Sequence, residues 1–415
     1  MFAIRKIQIT DNEKKILDVT LYDNASKKCC AENYTTLILG ENGVGKSFLL
    51  KSIIDIFLFL ENAKTYKRKP KYQYKSFYIE YSLNNEDYAV YRETGTKIDA
   101  YKNGEKINYK DVKLPAKVLA LSFMVNDKFP FRNDDESDMY VYHGVRSSTN
   151  STFTSSITRN ITFDLINSIK QNYHKQISDI FSILGFEPTV EFEWEKGSET
   201  IRIDLKKCDP VSFDNYNESY FPAVYFIKNK KRISFDSCSS GEKHLLFAYI
   251  GILSRIKEGS LILIDEPEIS LHPEWQIRYI STLNKLFGEY KNCCFMIASH
   301  SHYFVSELKA TSSSIVIFRK NSNDDNYMPE AELLPFDTYS WSAENIIYNV
   351  FGIRTTRNYY FECDLNNLIN SINNYDDSDE QKIEIQRQIC KLKKYVYNAN
   401  DPLSMLLDEA EGIIK

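Results

Sequence analysis

Residues 40 to 47 read Gly-Glu-Asn-Gly-Val-Gly-Lys-Ser and fit G-x-x-x-x-G-K-[ST] in full. They follow an apolar run, Thr35 to Leu39, that has the pattern of a buried strand. The stretch they open, Ser47 to Leu60, is densely apolar at helical spacing, as expected of a helix packed on both sides. Strand, glycine turn and helix in that order predict a parallel α/β sheet. They also predict a phosphate site. Gly40, Gly43 and Gly45 let the backbone N–H groups of the loop, Glu41, Asn42 and Val44 included, turn inward around a phosphate. Lys46 is then placed to reach the β- and γ-phosphates of ATP, and the Ser47 hydroxyl to ligate Mg²⁺.

Three later segments complete a nucleotide chemistry. Leu261-Ile262-Leu263-Ile264 ends in two carboxylates, Asp265 and Glu266. The first is expected in the Mg²⁺ shell and the second beside the water that attacks the γ-phosphate. Upstream, Cys238-Ser239-Ser240-Gly241-Glu242 precedes an apolar helix. Ser239, Ser240, Gly241 and Glu242 at a helix start are an anion site or an ordinary N-cap. In a head-to-tail dimer that helix end would cap the ATP held by the other copy. After the next strand comes Ala298-Ser299-His300-Ser301-His302, which sets a histidine beyond a central strand end, where open α/β sheets bind ligands. His300 fits a γ-phosphate sensor, with His302 as competitor. The segment Glu268 to Pro273 is expected along the dimer interface, with Ser270 nearest the opposing site and His272 structural.

Around these lie strands over 1 to 39, an antiparallel meander over 71 to 109, and a buried strand at 116 to 123. Helices are predicted over 155 to 185, hairpins over 190 to 205 and 223 to 236, and a βα alternation from 240 onward. The fold class predicted is an ABC-type ATPase head: α/β, with a mixed central sheet, an antiparallel β layer and an inserted helical lobe. One core would be built from 1–125 and 223–335, with an insertion at about 126–222 and a helical partner-docking segment at about 336–415. Within the latter, Trp341 to Phe361 is read either as a docking surface or as core. Asn126 stands where a γ-phosphate-sensing glutamine would be sought, and Tyr140 to Arg146 is read as loop packing, or as a contact with nucleotide or a partner.

Composition narrows the partners. A formal net charge of -5 over 415 residues gives no global attraction to nucleic acid or to an anionic membrane, so any DNA contact must be local, for instance at the basic run Lys64 to Lys75. No window spans a bilayer, no signal peptide is evident, and the eight cysteines lack zinc-site spacing. A reduced cytoplasmic protein with no membrane contact is expected.

The phosphate loop, Ser-Ser-Gly-Glu, Ile-Asp-Glu-Pro-Glu-Ile-Ser-Leu-His-Pro and Ser-His-Ser, in this order, resemble the soluble RecF, OLD and SMC-related branch of the ABC ATPases. No heptad run is long enough for an SMC coiled-coil arm, and no Toprim nuclease of the OLD kind is expected after His300. What remains resembles the PtuA-like stand-alone ATPases of bacterial anti-phage systems, Septu and retron-linked, with AriA of PARIS second. That resemblance implies an ATPase that senses and scaffolds, forming a homodimer or higher homo-oligomer. It would control a separately encoded effector nuclease, HNH-type favoured. A RecF-like repair ATPase that clamps DNA is the rival reading, and a nucleotide-binding protein with little turnover, in which ATP acts as dimer glue, a third.

Overall fold

The computed structural model describes residues 1–12, 14–23, 33–65, 72–93, 97–124, 126–131, 139–146, 153–194, 199–207, 222–309, 311–320, 329–335, 345–346, 348, 358–375, 378–396 and 402–413. The chain divides into two compact units, Met1–Ile346 and Ile347–Lys415.

The first unit is built on a seven-stranded sheet. Its strands are β3 (Tyr34–Gly40), β8 (Val118–Ser122), β9 (Tyr140–Gly144), β14 (Leu261–Asp265), β15 (Cys294–Ser299), β16 (Ser313–Arg319) and β17 (Glu330–Leu333). They run in the order β17-β16-β3-β15-β14-β8-β9, parallel throughout except for the antiparallel edge strand β17. Residues of β3, β8, β14 and β15 are buried along their whole length, which is why these segments read as unbroken apolar runs rather than alternating ones.

A second sheet is wholly antiparallel, in the order β2-β1-β4-β5-β6-β7: β1 (Ala3–Asp11), β2 (Lys14–Thr20), β4 (Ser76–Leu83), β5 (Glu86–Arg92), β6 (Ile98–Lys102) and β7 (Glu105–Ile107). Helix α1 (Lys46–Thr65) shares one core with both sheets. Leu50, Ile54, Phe57 and Leu58 join Ile7, Ile79 and Val90 of the antiparallel layer and Ile38, Leu263 and Met296 of the central sheet. A helix covered on two sides needs apolar residues nearly all round, and α1 has them.

Strands β10 (Thr189–Trp194), β11 (Glu199–Asp204), β12 (Ala223–Lys228) and β13 (Lys231–Ser234) form a third, antiparallel sheet, ordered β11-β10-β12-β13. Helices α2 (Phe153–Lys170) and α3 (His174–Leu184) pack on α4 (Ser240–Leu253), while α5 (Pro273–Phe287) joins β14 to β15. Two placements differ from simple expectation. Tyr140 to Gly144 is a sheet strand rather than a loop, and the hairpin at 223 to 234 pairs with β10 rather than with the central sheet. The edge strand is anchored by His143, whose Nε2 donates to the Phe247 carbonyl of α4 at 3.0 Å, with Nδ1 3.6 Å from Asp164 of α2. Asp164 in turn accepts from Ser254 at 3.1 Å and Arg255 at 2.5 Å, so one buried carboxylate ties α2 to the end of α4.

The second unit contains α6 (Tyr359–Asn373), α7 (Asp379–Lys393) and α8 (Pro402–Ile413), packed around Leu368, Ile385, Ile389, Leu392, Leu403, Leu407 and Ala410. Residues 336–344, 347, 349–357, 376–377, 397–401 and 414–415 of the expected docking segment, and 66–71 of the basic run, lie outside the described residues. Among the described residues no helix is long and apolar enough to cross a membrane.

Candidate nucleotide site

Register collects the expected site at the carboxyl ends of the central strands. Asp265 pairs with Ala298 of β15 and Ser122 of β8, and Ser299 pairs with Leu39 of β3. Parallel strands in that register deliver Gly40, Asp265 and Ser299 to their carboxyl ends together, where the sheet opens to ligand.

The glycine loop is shaped by close approach. A Cβ at Gly40 would lie 2.4 Å from the Phe318 carbonyl oxygen of β16, so no larger residue fits there. Gly43, with φ of 81°, takes a left-handed turn that side chains resist, and nothing crowds it. Glu41 and Asn42 are exposed, Val44 is buried, and Lys46 leads into α1. The Lys46 ammonium bends back over the loop, donating to the carbonyls of Gly40 at 2.8 Å and Glu41 at 2.9 Å. Burial pushes its pKa down, against the opposing pull of Glu266, Glu268, Asp265 and Glu41. The buried ammonium thus lies over the glycine loop, held by two of its carbonyls, where it could meet a phosphate.

Ser47 Oγ donates to Asp265 Oδ1 at 3.0 Å, bridging the start of α1 to the end of β14. Asp265 is 2% exposed, and burial raises its pKa to about 6; the Ser47 hydrogen bond works against the rise, and the charge of Glu266 adds to it. A buried carboxylate beside a hydroxyl is an oxygen pair that fits the demand of Mg²⁺ for few protein ligands. Ser47 and Asp265 are the residues that would hold the ion. Glu266 follows at φ of 49°, its N–H donating to the Ala298 carbonyl at 2.8 Å. A left-handed non-glycine residue directly after the strand is the kind of strain found at functional sites.

His300 stands next to this pair with its side chain 45% exposed. Its Nδ1 lies 2.8 Å from Glu268 Oε1, which also accepts from the His300 N–H at 2.7 Å and the Ser299 hydroxyl at 2.8 Å. The hydrogen bond to Glu268 holds the imidazole pKa above its ordinary value, helped by the charges of Glu268 and Glu266 and opposed by burial and by Lys46. Burial alone would raise the pKa of Glu268; the His300 hydrogen bonds hold it below the usual range. Glu268 escaped the sequence reading as a site residue, although its place two residues after Glu266 was the available signal. His302 is instead half-buried against Tyr303, and His272 caps α5 by accepting from the Glu274 N–H at 3.3 Å.

Ser239 is the N-cap of α4 in a full capping box: its Oγ accepts from the Glu242 N–H at 3.3 Å, and Glu242 accepts from the Ser239 N–H at 2.8 Å. Lys228 pairs with Glu242 at 2.5 Å. Ser239 and Ser240 are exposed, and a Cβ on Gly241 would sit 3.3 Å from the Ser270 carbonyl, so this helix start and the turn after β14 form one surface. Among the described residues no hydrogen bond or ion pair joins 239–242 to 40–47 of the same chain. At the glutamine position, Asn126 is exposed while its neighbour Asp127 is buried, accepting from Tyr142 Oη at 2.5 Å and the Phe129 N–H at 2.9 Å, with Arg146 at 3.5 Å. That cluster fastens the loop to β9.

A family model described as "AAA domain, putative AbiEii toxin, Type IV TA system" matches residues 36–306. The Septu protein PtuA of Bacillus thuringiensis is 22% identical over 361 residues, covering 84% of this chain and 85% of the relative. The Retron Vc95 probable ATPase of Vibrio cholerae serotype O1 biovar El Tor is 21% identical over 387 residues, covering 74% and 75%. Among solved structures, the SMC head domain from Thermotoga maritima aligns with a TM-score of 0.43 at 12% identity, covering 80% of this chain and 98% of that one.

Proposed function

The chain belongs to the AAA-domain family whose model spans residues 36–306, and from that premise we propose that it binds and hydrolyses ATP as the sensor and scaffold of a prokaryotic anti-phage defence system. The observation that carries the chemical half is the Ser47 to Asp265 hydrogen bond at 3.0 Å, which brings the phosphate loop and the acidic strand end to one point. The biological half is supported by relatives whose names, Septu protein PtuA and Retron Vc95 probable ATPase, belong to defence systems.

In this reading Gly40, Glu41, Asn42, Gly43, Val44, Gly45, Lys46 and Ser47 hold the triphosphate, and Lys46 leaves its two loop carbonyls for the β- and γ-phosphate oxygens. Ser47 and Asp265 would hold Mg²⁺, which would supply charge neutralisation at the phosphates. Glu266 orients and deprotonates the attacking water, and His300 donates to the γ-phosphate. Ser239, Ser240, Gly241 and Glu242 of a second copy close the site, so ATP links protomers and hydrolysis loosens them. The assembly, a homodimer or larger in the cytoplasm, controls a separately encoded effector nuclease through the helical unit; DNA is a possible further ligand.

The test is the mass of purified Glu266→Gln protein with saturating Mg-ATP. A dimer or larger species, absent without nucleotide, is expected; a variant that stays as dissociated as the empty protein, or that hydrolyses ATP at the wild-type rate, refutes the assignment.

A further inference from the structure

We infer that Glu268 is a positioning residue for His300: its carboxylate fixes the imidazole with Nδ1 turned inward, so that Nε2 is the nitrogen presented to the terminal phosphate. The inference rests on the ATP-site reading above and names a residue that reading does not use.

Three donors converge on one oxygen, the Ser299 hydroxyl, the His300 N–H and His300 Nδ1, all within 2.8 Å of Glu268 Oε1. A carboxylate only accepts, so Nδ1 must carry the hydrogen, and Nε2 donates outward when the ring is charged. The same carboxylate holds the backbone of the histidine as well as its ring, which locks both position and tautomer; an outer partner of this kind acts through the residue it orients. Glu268 is 6% exposed, and among the described residues its Oε2 has no hydrogen-bond partner, so the negative charge is spent locally rather than in water. Its field reaches Lys46 and Asp265. The groups that face the dyad are Glu266 from the turn after β14, Lys46 from α1 and Tyr279 from α5, whose buried hydroxyl feels Glu268. Gln276 of α5 holds the neighbouring Ser301 at 2.6 Å and adds no charge.

The test uses Glu268→Gln, which keeps the shape and the acceptor oxygen and removes the charge. In full-length, nucleotide-free protein labelled with ¹⁵N-histidine, with His300 assigned by loss of its signals in His300→Asn, the His300 titration midpoint should lie above the ordinary value of about 6.5 and fall by about one unit or more in the variant. In steady state, Glu268→Gln should lower kcat about tenfold or more with little change in KM, and should cost nothing further in a His300→Asn background. Coincident titration midpoints, or equal kcat losses with and without His300, overturn the proposal. If Glu268→Gln does not fold, Glu268→Asp, which keeps the charge but shortens the reach, is titrated instead; a midpoint unchanged from wild type overturns it equally. Should the wild-type protein hydrolyse no ATP, the function proposed above fails, while the titration still judges the dyad.

Discussion

Replacing Asp265 by Asn should make the empty protein more stable and the nucleotide site useless. Burial lifts the Asp265 pKa from 3.8 to about 6 in the folded chain. The group is protonated more readily when folded than when unfolded, so its contribution to stability is fully present below pH 4 and is lost as pH rises through about 6. At about 1.4 kcal/mol per unit, the difference amounts to about 3 kcal/mol at neutral pH. Some of this is returned when Asn deprives the buried Lys46 of one of its counter-charges, leaving an expected gain of roughly 1–3 kcal/mol. In the unit Met1–Ile346 that corresponds to about 1–4 °C in Tm, from about 2.1 cal/mol/K of unfolding entropy per residue. Melting curves of wild type and Asp265→Asn from pH 4 to pH 8 check it: the variant should pull ahead between pH 4 and 6 and hold its lead above. Saturating Mg-ATP, worth about 2.7 kcal/mol at a hundredfold excess over Kd, should raise the wild-type Tm and leave the variant unmoved. A variant less stable than wild type at pH 8, or a gap that does not close toward pH 4, would refute the reasoning.

Two further outcomes are expected. Lys46→Ala should abolish ATP binding in a direct titration, since it removes the buried ammonium that lies over the loop carbonyls; retained micromolar binding would contradict the proposed cradle. Ser239→Ala should cost about 1 kcal/mol through the lost N-cap, and in a Glu266→Gln background it should weaken ATP-driven assembly at least tenfold in analytical ultracentrifugation while leaving nucleotide binding by the single protomer intact.

The central sheet was legible because burial on both faces writes a simple signature: Thr35 to Leu39, Val118 to Ser122 and Leu261 to Asp265 are apolar runs ending in polar or glycine residues. Strand β9 was not. Tyr140-Val141-Tyr142-His143-Gly144 is an edge strand whose place depends on His143 meeting Phe247, a partner 104 residues away that no local pattern announces. The phosphate loop and the paired acids could be named because their chemistry is confined to a few adjacent residues. Glu268 could not, since its role comes from a turn that brings it to His300, 32 residues on. The same limit holds at the glutamine position, where Asn126 is exposed and the neighbouring Asp127 is the residue held by Tyr142 and Arg146. The capping box at Ser239 was half visible: the spacing to Glu242 announces a helix start, and whether that start also serves a second copy is a property of two chains rather than one.

Strand β3 lies between β15 and β16, both made from residues beyond 293. On the ribosome, the stretch from Tyr34 to Gly40 therefore waits without its neighbours until a further 250 or so residues have been added, roughly 15–50 s at ordinary elongation rates. During that time a largely apolar segment, built to be buried on both faces, is available to whatever it meets. Nascent chains of this protein should lean on trigger-type chaperones early, and truncation before Ser313 should yield insoluble fragments rather than a smaller working domain.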